Sequence, residues 1–172
     1  MVNQMNKDNI MRKIYIEKIV LNIGCGKTGD IKKATKVLYD ITKQKPVITK
    51  SKSKSTFGVP KNKEIGVKVT VRKNVEQLLK TLIKAVDNKL LFKNFDNFGN
   101  FSFGISEHIS VPGVEYDPNI GIFGFDVCVR LARPGFSGSK IGKAHRITKK
   151  EAMEFIKQKF GIELVEKRVS EY

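Results

Sequence analysis

The sequence is poor in tryptophan, cysteine, histidine and acidic side chains. Among its 172 residues there is no tryptophan, and the two cysteines, Cys25 and Cys128, lie far apart. Their separation argues against a disulfide framework or a zinc site and favours a reducing, cytoplasmic compartment. No apolar run approaches the roughly 20 residues of a membrane-spanning helix, and residues 1–13 lack the apolar segment of a signal peptide. We therefore expect neither a membrane protein nor a disulfide-rich secreted domain.

Histidine is almost as scarce, with only His108 and His145. Neither lies at ligand spacing from a cysteine, a second histidine or paired carboxylates, so the sequence predicts no metal site and no cofactor. A catalytic triad cannot be assembled either. We expect His108 to have a surface or loop-structuring role and the protein to have no enzymatic activity.

Two near-motifs surround the first glycine turn. Residues 19–26, IVLNIGCG, resemble the strand and G-x-G turn of methyl-donor-dependent methyltransferases. Asn22 stands where that fold needs an acid, and residues 43–54 supply no second acid for the ribose. Gly26-Lys27-Thr28 imitates a phosphate-binding loop, but the required earlier glycine is Leu21. A methyltransferase stays open as a weak alternative.

Basic residues are abundant and unevenly distributed. Thirty-three Lys and Arg against 17 Asp and Glu give a formal net charge of +16. Residues 43–63 hold seven lysines and residues 130–150 hold seven Lys and Arg, with no acid in either stretch. A single charge run can be a solvated surface, but two such runs beside a cationic strand face predict nucleic-acid binding.

Hydrophobic periodicity predicts one domain with the order β-α-β-β-α-β-β-α. Strict alternation over residues 64–72 leaves Lys68, Thr70 and Arg72 on the polar side of a strand. Flexible tails are expected at residues 1–11 and 165–172. The remaining predicted strands cover residues 14–23, 47–50, 100–107 and 124–132, and the predicted helices cover residues 30–43, 74–91 and 148–160. The fold class is α+β, an antiparallel β-sheet with helices packed on one face and long basic loops.

Seven segments then resemble, in order, the universal 5S-RNA-binding protein family of the large ribosomal subunit, numbered five in bacteria and eleven in eukaryotes. They are IEKIVLNIG, TKQKPVITKSKS, IGVKVTVR, FGNFSFGISEHI, YDPNIGIFGFDV, ARPGF and HRITKKEAMEFIKQKFGI. The last two are similar to the archaeal and eukaryotic branch. The insert between them, residues 137–144, is shorter than in those relatives.

The resemblance implies a structural protein of the cytoplasmic ribosome that helps to form the central protuberance. Its expected partners are 5S rRNA, large-subunit rRNA, peptidyl-site tRNA, other central-protuberance proteins and a small-subunit head protein. The 5S contacts would fall on Asn22, Gln44, Lys45, Lys68, Thr70 and Arg72. The tRNA loop would hold Lys50, Lys52, Lys54, Phe57, Lys61 and Lys63. Further RNA contacts would come from Arg133, Lys140, Lys143, His145 and Arg146, and the inter-subunit bridge from Glu107, Glu115 and Asp117.

A third hypothesis is a basic accessory protein with no fixed RNA. This hypothesis predicts equal binding to all structured RNAs, whereas the ribosomal hypothesis predicts a preference for 5S rRNA. Binding of a methyl donor would instead favour the methyltransferase.

Overall fold

The computed structural model describes residues 9–26, 29–54, 58–135, 142 and 145–166. Within them the chain forms seven strands, three α-helices and three short 3-10 turns. The strands are β1 (Tyr15–Gly24), β2 (Val47–Lys50), β3 (Glu64–Val71), β4 (Lys89–Leu91), β5 (Phe101–Ile105), β6 (Phe125–Ala132) and β7 (Glu163–Val165). The helices are α1 (Ile31–Thr42), α2 (Val75–Lys84) and α3 (Lys149–Phe160), and the 3-10 turns are Ile10–Arg12, Phe92–Asn94 and His108–Ser110.

Five of the strands form one antiparallel sheet in the order β2-β3-β1-β6-β5. The ten-residue strand β1 is at its centre, between β3 and β6. The register pairs Asn22 with Lys68 on one side and with Asp126 on the other. The two remaining strands, β4 and β7, pair in parallel as a separate small sheet. The predicted α+β fold with an antiparallel sheet is confirmed.

The two faces of the large sheet differ sharply. Alternate residues of its inner strands, such as Leu21, Val69 and Val127, are almost fully buried in the core. Helices α1 and α2 supply Leu38 and Leu79 to the same core, because each presents an apolar stripe at helical spacing. Most of the intervening strand residues point the other way and are exposed or half-buried, among them Lys68, Thr70 and Asp126. We call this second surface the free face.

Helix ends follow the local sequence. Thr148 caps α3 through a capping box, in which its hydroxyl accepts from the Glu151 N–H and Glu151 accepts from the Thr148 N–H. Gly161 ends that helix in a left-handed conformation. Asp30 is the N-cap residue of α1 but makes no side-chain cap bond, and instead pairs with Lys33.

The prediction of one long helix over residues 74–91 was wrong. Helix α2 ends at Lys84, because Asp87 and Asn88 adopt positive φ and turn the chain. The next three residues form β4, and the Glu163 N–H donates to the Asn88 carbonyl beside the β4–β7 pair. Residues 9–11 and 165–166 of the predicted tails are described, and they include the first two residues of the 3-10 turn Ile10–Arg12 and the end of β7. No helix among the described residues is long and apolar enough to cross a membrane.

Candidate nucleic-acid interface

Three of the predicted 5S-binding residues lie together on the free face. Asn22 of β1 pairs in register with Lys68 of β3, and the next free-face position of β1, Val20, pairs with Thr70. Side chains of directly paired residues in an antiparallel sheet lie on the same face, a few ångströms apart. Lys68 is exposed, whereas Asn22 and Thr70 are half-buried. The strands therefore bring an amide, a hydroxyl and an ammonium group into one polar cluster.

The other three members of the predicted set flank this cluster. Arg72 is exposed and directly follows β3, two positions beyond Thr70 and therefore on its side of the strand. Gln44 and Lys45 lie in the turn between α1 and β2, which is the strand next to β3. Lys43 holds the left-handed position that ends α1, and the backbone N–H of Gln44 donates to the Thr42 hydroxyl. After this turn the chain enters β2, the edge strand that pairs with β3.

The basic loop between β2 and β3 starts from a closed base. The Ser51 N–H donates to the Lys63 carbonyl at 2.8 Å, and the Asn62 N–H donates to the Ser51 carbonyl at 2.9 Å. The side chains of Lys52, Lys54 and Lys61 are exposed. Two other lysines predicted to contact tRNA are less available to a phosphate. The Lys50 Nζ lies 3.9 Å from the Glu64 Oε1, and Lys63 is half-buried. Phe57 lies outside the described residues.

Arg133 lies inside the protein, although the sequence assigns it to RNA. Its side chain is 7% exposed and donates to Glu151 Oε1 at 3.0 Å. It also donates to the main-chain carbonyls of His145 and Arg146, at 3.5 and 3.3 Å. Its Nε has no hydrogen-bond partner within the part of the chain that the structure describes. The guanidinium therefore holds the chain ahead of α3 in place, and little of its surface is exposed to solvent.

The neighbours of Arg133 complete this arrangement. Partial burial raises the pKa of Glu151, but hydrogen bonds from the Thr148 N–H and from Arg133 outweigh it, and the pKa lies below its ordinary value. The His145 ring lies 2.9 Å from the Pro134 carbonyl, and Arg146 is exposed. Of the predicted contacts in this region, Lys140 and Lys143 lie outside the described residues. Arg146 is thus an exposed cation on a fixed support.

The acidic segment predicted to bridge the subunits is anchored at two points. The Lys36 ammonium of α1 donates to Asp117 at 2.9 Å and lowers the pKa of that carboxyl, helped by the Asn119 N–H. His108 is 2% exposed. Its ring Nδ1 accepts a hydrogen bond from the backbone N–H of Phe123, and the backbone N–H of His108 donates to the Phe123 carbonyl. Of the two expected roles for His108, a surface position is ruled out by its burial and the loop-structuring role is supported by its bonds to Phe123. Glu107 and Glu115 remain exposed.

The described residues of the near-motifs do not form a catalytic site, and Lys27 and Thr28 lie outside the described residues. Residues 19–24 belong to the central strand, where Asn22 lies in the sheet between Lys68 and Asp126. The described residues contain no group of three or more His, Cys, Asp or Glu that could hold a metal ion. Burial, with a smaller effect of Asp126, raises the pKa of the Cys128 thiol, and burial with Asp30 does the same for Cys25. Both thiols are thus less reactive than ordinary cysteines.

The sequence prediction missed the half of the free face formed by β1, β5 and β6. Lys18 pairs with Arg130, and Cys128 pairs with both Val20 and Ser102. Alternation within residues 124–132 is the signal that could have found Asp126, Cys128 and Arg130, since it puts all three on one side of a strand. The order of the strands was the missing information, because it decides which of these polar sides lie next to Asn22.

Comparison with known proteins gives matches over most of the chain. A family described as "Ribosomal protein L5" matches residues 9–60, and a second model, for the C-terminal part of the same ribosomal family, matches residues 64–155. Three archaeal relatives carry the name "Large ribosomal subunit protein uL5". The one from Sulfolobus acidocaldarius is 42% identical over 96% of this chain and 98% of its own. Those from Sulfurisphaera tokodaii and Nitrosopumilus maritimus are 46% and 44% identical, over 92% and 88% of this chain and 96% and 94% of their own.

Proposed function

The chain belongs to the L5 family of large-subunit ribosomal proteins, and from this premise we propose that it binds 5S rRNA through the free face of its sheet. Its role on the ribosome is structural, not enzymatic. The polar cluster of Asn22, Lys68 and Thr70, with Arg72 beside it, is the observation that carries the proposal. These side chains lie on the one sheet face that the helices leave uncovered.

The cluster has the chemistry for recognising a folded RNA by shape. The Asn22 amide can donate and accept, the Thr70 hydroxyl can do both, and Lys68 and Arg72 supply positive charge. Such groups contact sugar hydroxyls, phosphates and exposed base edges. The strands hold the cluster rigidly, which lowers the entropy lost on binding. The Gln44–Lys45 turn extends the surface past β3 toward the sheet edge.

The loop between β2 and β3 is proposed to contact peptidyl-site tRNA. Its base is closed by hydrogen bonds to Ser51, and Lys52, Lys54 and Lys61 project into solvent. Exposed lysines between serine hydroxyls suit a phosphate backbone. The base of the loop continues directly from β2 and β3, so the lysines lie beyond the end of these strands rather than on the free face.

Two further surfaces complete the proposal. Arg146, held in place by Arg133, faces large-subunit rRNA near the central protuberance, together with Lys140, Lys143 and His145. On the acidic segment, exposed Glu107 and Glu115 face a basic protein of the small-subunit head, and Asp117 fixes the segment to α1. Because the chain as a whole carries a net charge of +16, this acidic segment is the surface that a basic partner would bind.

The first test is binding of the purified protein to 5S rRNA and to an unrelated folded RNA of similar length, across a salt series. Contacts to phosphates weaken steeply as salt rises, whereas specific hydrogen bonds and stacking persist. We expect a preference for 5S rRNA that is retained at high salt. Equal affinities with equal salt slopes for the two RNAs would contradict the proposal and favour a basic protein without a fixed RNA.

A further inference from the structure

A cavity of about 340 Å³ lies on the free face, on the side of β1 opposite the predicted 5S residues. Val20, Cys128 and Ser102 contribute to it from three adjacent strands, β1, β6 and β5. Lys18 and Arg130, which pair in register, lie along one side. Its volume is at the lower end of the range for small-molecule sites, which is the size expected for one nucleotide.

A preformed hairpin, residues 94–100, makes the far wall of this cavity. It contributes Asn94, Asp96 and Asn100. Phe95 is 3% exposed and stacks on Phe101 with ring centroids 5.1 Å apart, which ties the hairpin to the edge strand. The Asp96 N–H donates to the Asn100 carbonyl at 2.8 Å. The cavity therefore has a wall fixed by the core, and it does not have to form on binding.

The chemistry of the lining has two sides. Lys18 and Arg130 are cations, and the Arg130 Nε forms an ion pair with the Glu17 carboxylate at 2.9 Å. The hairpin side carries two side-chain amides and the Asp96 carboxylate, groups that bond to base edges. Asp96 would repel a phosphate, so a nucleotide would enter with its phosphate toward the cations and its base toward the hairpin.

The cavity is continuous with the proposed 5S surface. Val20 pairs with Thr70 on one side and with Cys128, in the cavity, on the other. An RNA lying on the polar cluster would therefore extend over the cavity. The same hairpin also carries Phe98, which is 59% exposed, and aromatic side chains at such sites stack on bases.

From these observations we infer that the cavity accepts one nucleotide of the bound RNA whose base has left its helix stack. This inference rests on the proposed binding of 5S rRNA. It adds a second recognition site to the polar cluster, one that reads a base instead of a backbone shape. Unstacked bases held between side chains are the usual route to sequence-specific recognition of RNA.

A thiol in the cavity allows the inference to be tested on the folded protein. In a Cys25→Ser variant, Cys128 is the single cysteine, and N-ethylmaleimide would place a bulky group in the cavity. We expect this adduct to weaken 5S binding about tenfold, the effect of losing one stacked base. The matched control is a Cys25→Ser/Cys128→Ser/Glu154→Cys variant, which carries the adduct on the exposed surface of α3. Reaction with N-ethylmaleimide should leave the 5S affinity of this control equal to that of the same variant before modification.

The Cys25→Ser protein, unmodified and as its Cys128 adduct, is then measured against 5S rRNAs that lack one base at a time. At one position, loss of the base should weaken binding of the unmodified protein and have no further effect on the Cys128 adduct. Two results would overturn the base-binding inference. One is that the loss of affinity from the adduct and the loss from base removal multiply at every position, and the other is that the adduct has no effect on affinity. An unmodified protein with no preference for 5S rRNA is a different result, and it would contradict the proposed function itself.

Discussion

Arg133 is a buried cation in a protein whose other described Lys and Arg residues are exposed or half-buried. Its bonds to Glu151 and to two main-chain carbonyls offset the cost of removing its charge from water. Replacing it with alanine leaves those carbonyls and the carboxylate without their donor. We predict that Arg133→Ala lowers the free energy of unfolding by about 3 kcal/mol, measured by urea denaturation.

Arg130→Ala is the matched control for this substitution. Arg130 also pairs with a carboxylate, that of Glu17, but the two side chains are 37% and 33% exposed. Partly solvated ion pairs contribute little, so we expect a loss below about 1 kcal/mol. Equal losses for the two variants would mean that the burial of Arg133 does not determine its contribution.

The Arg133–Glu151 pair also makes stability depend on pH. Burial raises the pKa of Glu151, but its bonds to Thr148 and Arg133 lower it by more, so the folded-state pKa lies below the ordinary 4.5. The stabilisation is therefore fully present above that value and is lost as the pH falls through the folded-state pKa. We predict that Glu151→Gln is less stable than the wild type at pH 7. Urea denaturation in acid should show the difference shrinking below pH 4.5, and a constant difference would refute the linkage.

The residue pattern placed one strand of the candidate site on an open sheet face, whereas Asn22 and Gln44 were assigned from the family resemblance. Thr70, Lys68 and Arg72 were assigned to an open strand face because alternation fixes the side of each residue. Arg133 shows the limit, since a basic residue in a basic run has the same local sequence whether it faces RNA or a carboxylate. Only Glu151, which is 18 positions away and anchored at the start of α3, distinguishes the two.

At the scale of elements, the hairpin of residues 94–100 depends on Gly99. This glycine adopts φ +80°, and a Cβ there would lie 2.6 Å from the Ile147 Cγ2. Gly99→Ala therefore combines left-handed strain with a steric clash against a residue that is 1% exposed. We predict a loss of roughly 2–4 kcal/mol in thermal or urea unfolding.

Gly121→Ala is the control that separates backbone strain from the steric clash with Ile147. Gly121 has the same φ of +80°, but no described atom lies within 4 Å of the position of its Cβ. Only the backbone strain should remain, about 1 kcal/mol. If Gly121→Ala were as harmful as Gly99→Ala, the contact with Ile147 would not be what fixes the hairpin.

Elements whose ends are marked by a proline, a capping residue or a glycine were predicted well, and elements without such markers were not. The β2 and α3 segments agree with the structure to within a residue because Pro46, Thr148 and Gly161 mark their ends. Strands β4 and β7 have three residues each, too few for a period to appear, and they pair across more than 70 positions of sequence. The apolar residues before β4 continue the helical pattern, so the end of α2 was placed too late.

At the scale of the whole molecule, a net charge of +16 attracts any RNA, and charge alone gives no specificity. The fold divides this charge between two surfaces. The free face holds Lys68 and Arg72 within a rigid polar cluster, whereas Lys52 and Lys54 lie in the loop beyond the ends of β2 and β3. A specific site and a general cationic arm should respond differently to the removal of charge.

Substitutions that each remove positive charge can therefore separate the two surfaces. We predict that Arg72→Ala weakens 5S binding by ~1–3 kcal/mol, because it removes a specific hydrogen-bonding group. Lys52→Ala and Lys54→Ala should leave 5S affinity nearly intact and weaken binding of tRNA, with a salt slope reduced by about one for each phosphate that is no longer neutralised. Filter binding of both RNAs to all three variants makes the comparison. If the lysine variants bound 5S rRNA more weakly than Arg72→Ala does, the loop would belong to the 5S interface, and the free face would not be its main recognition surface.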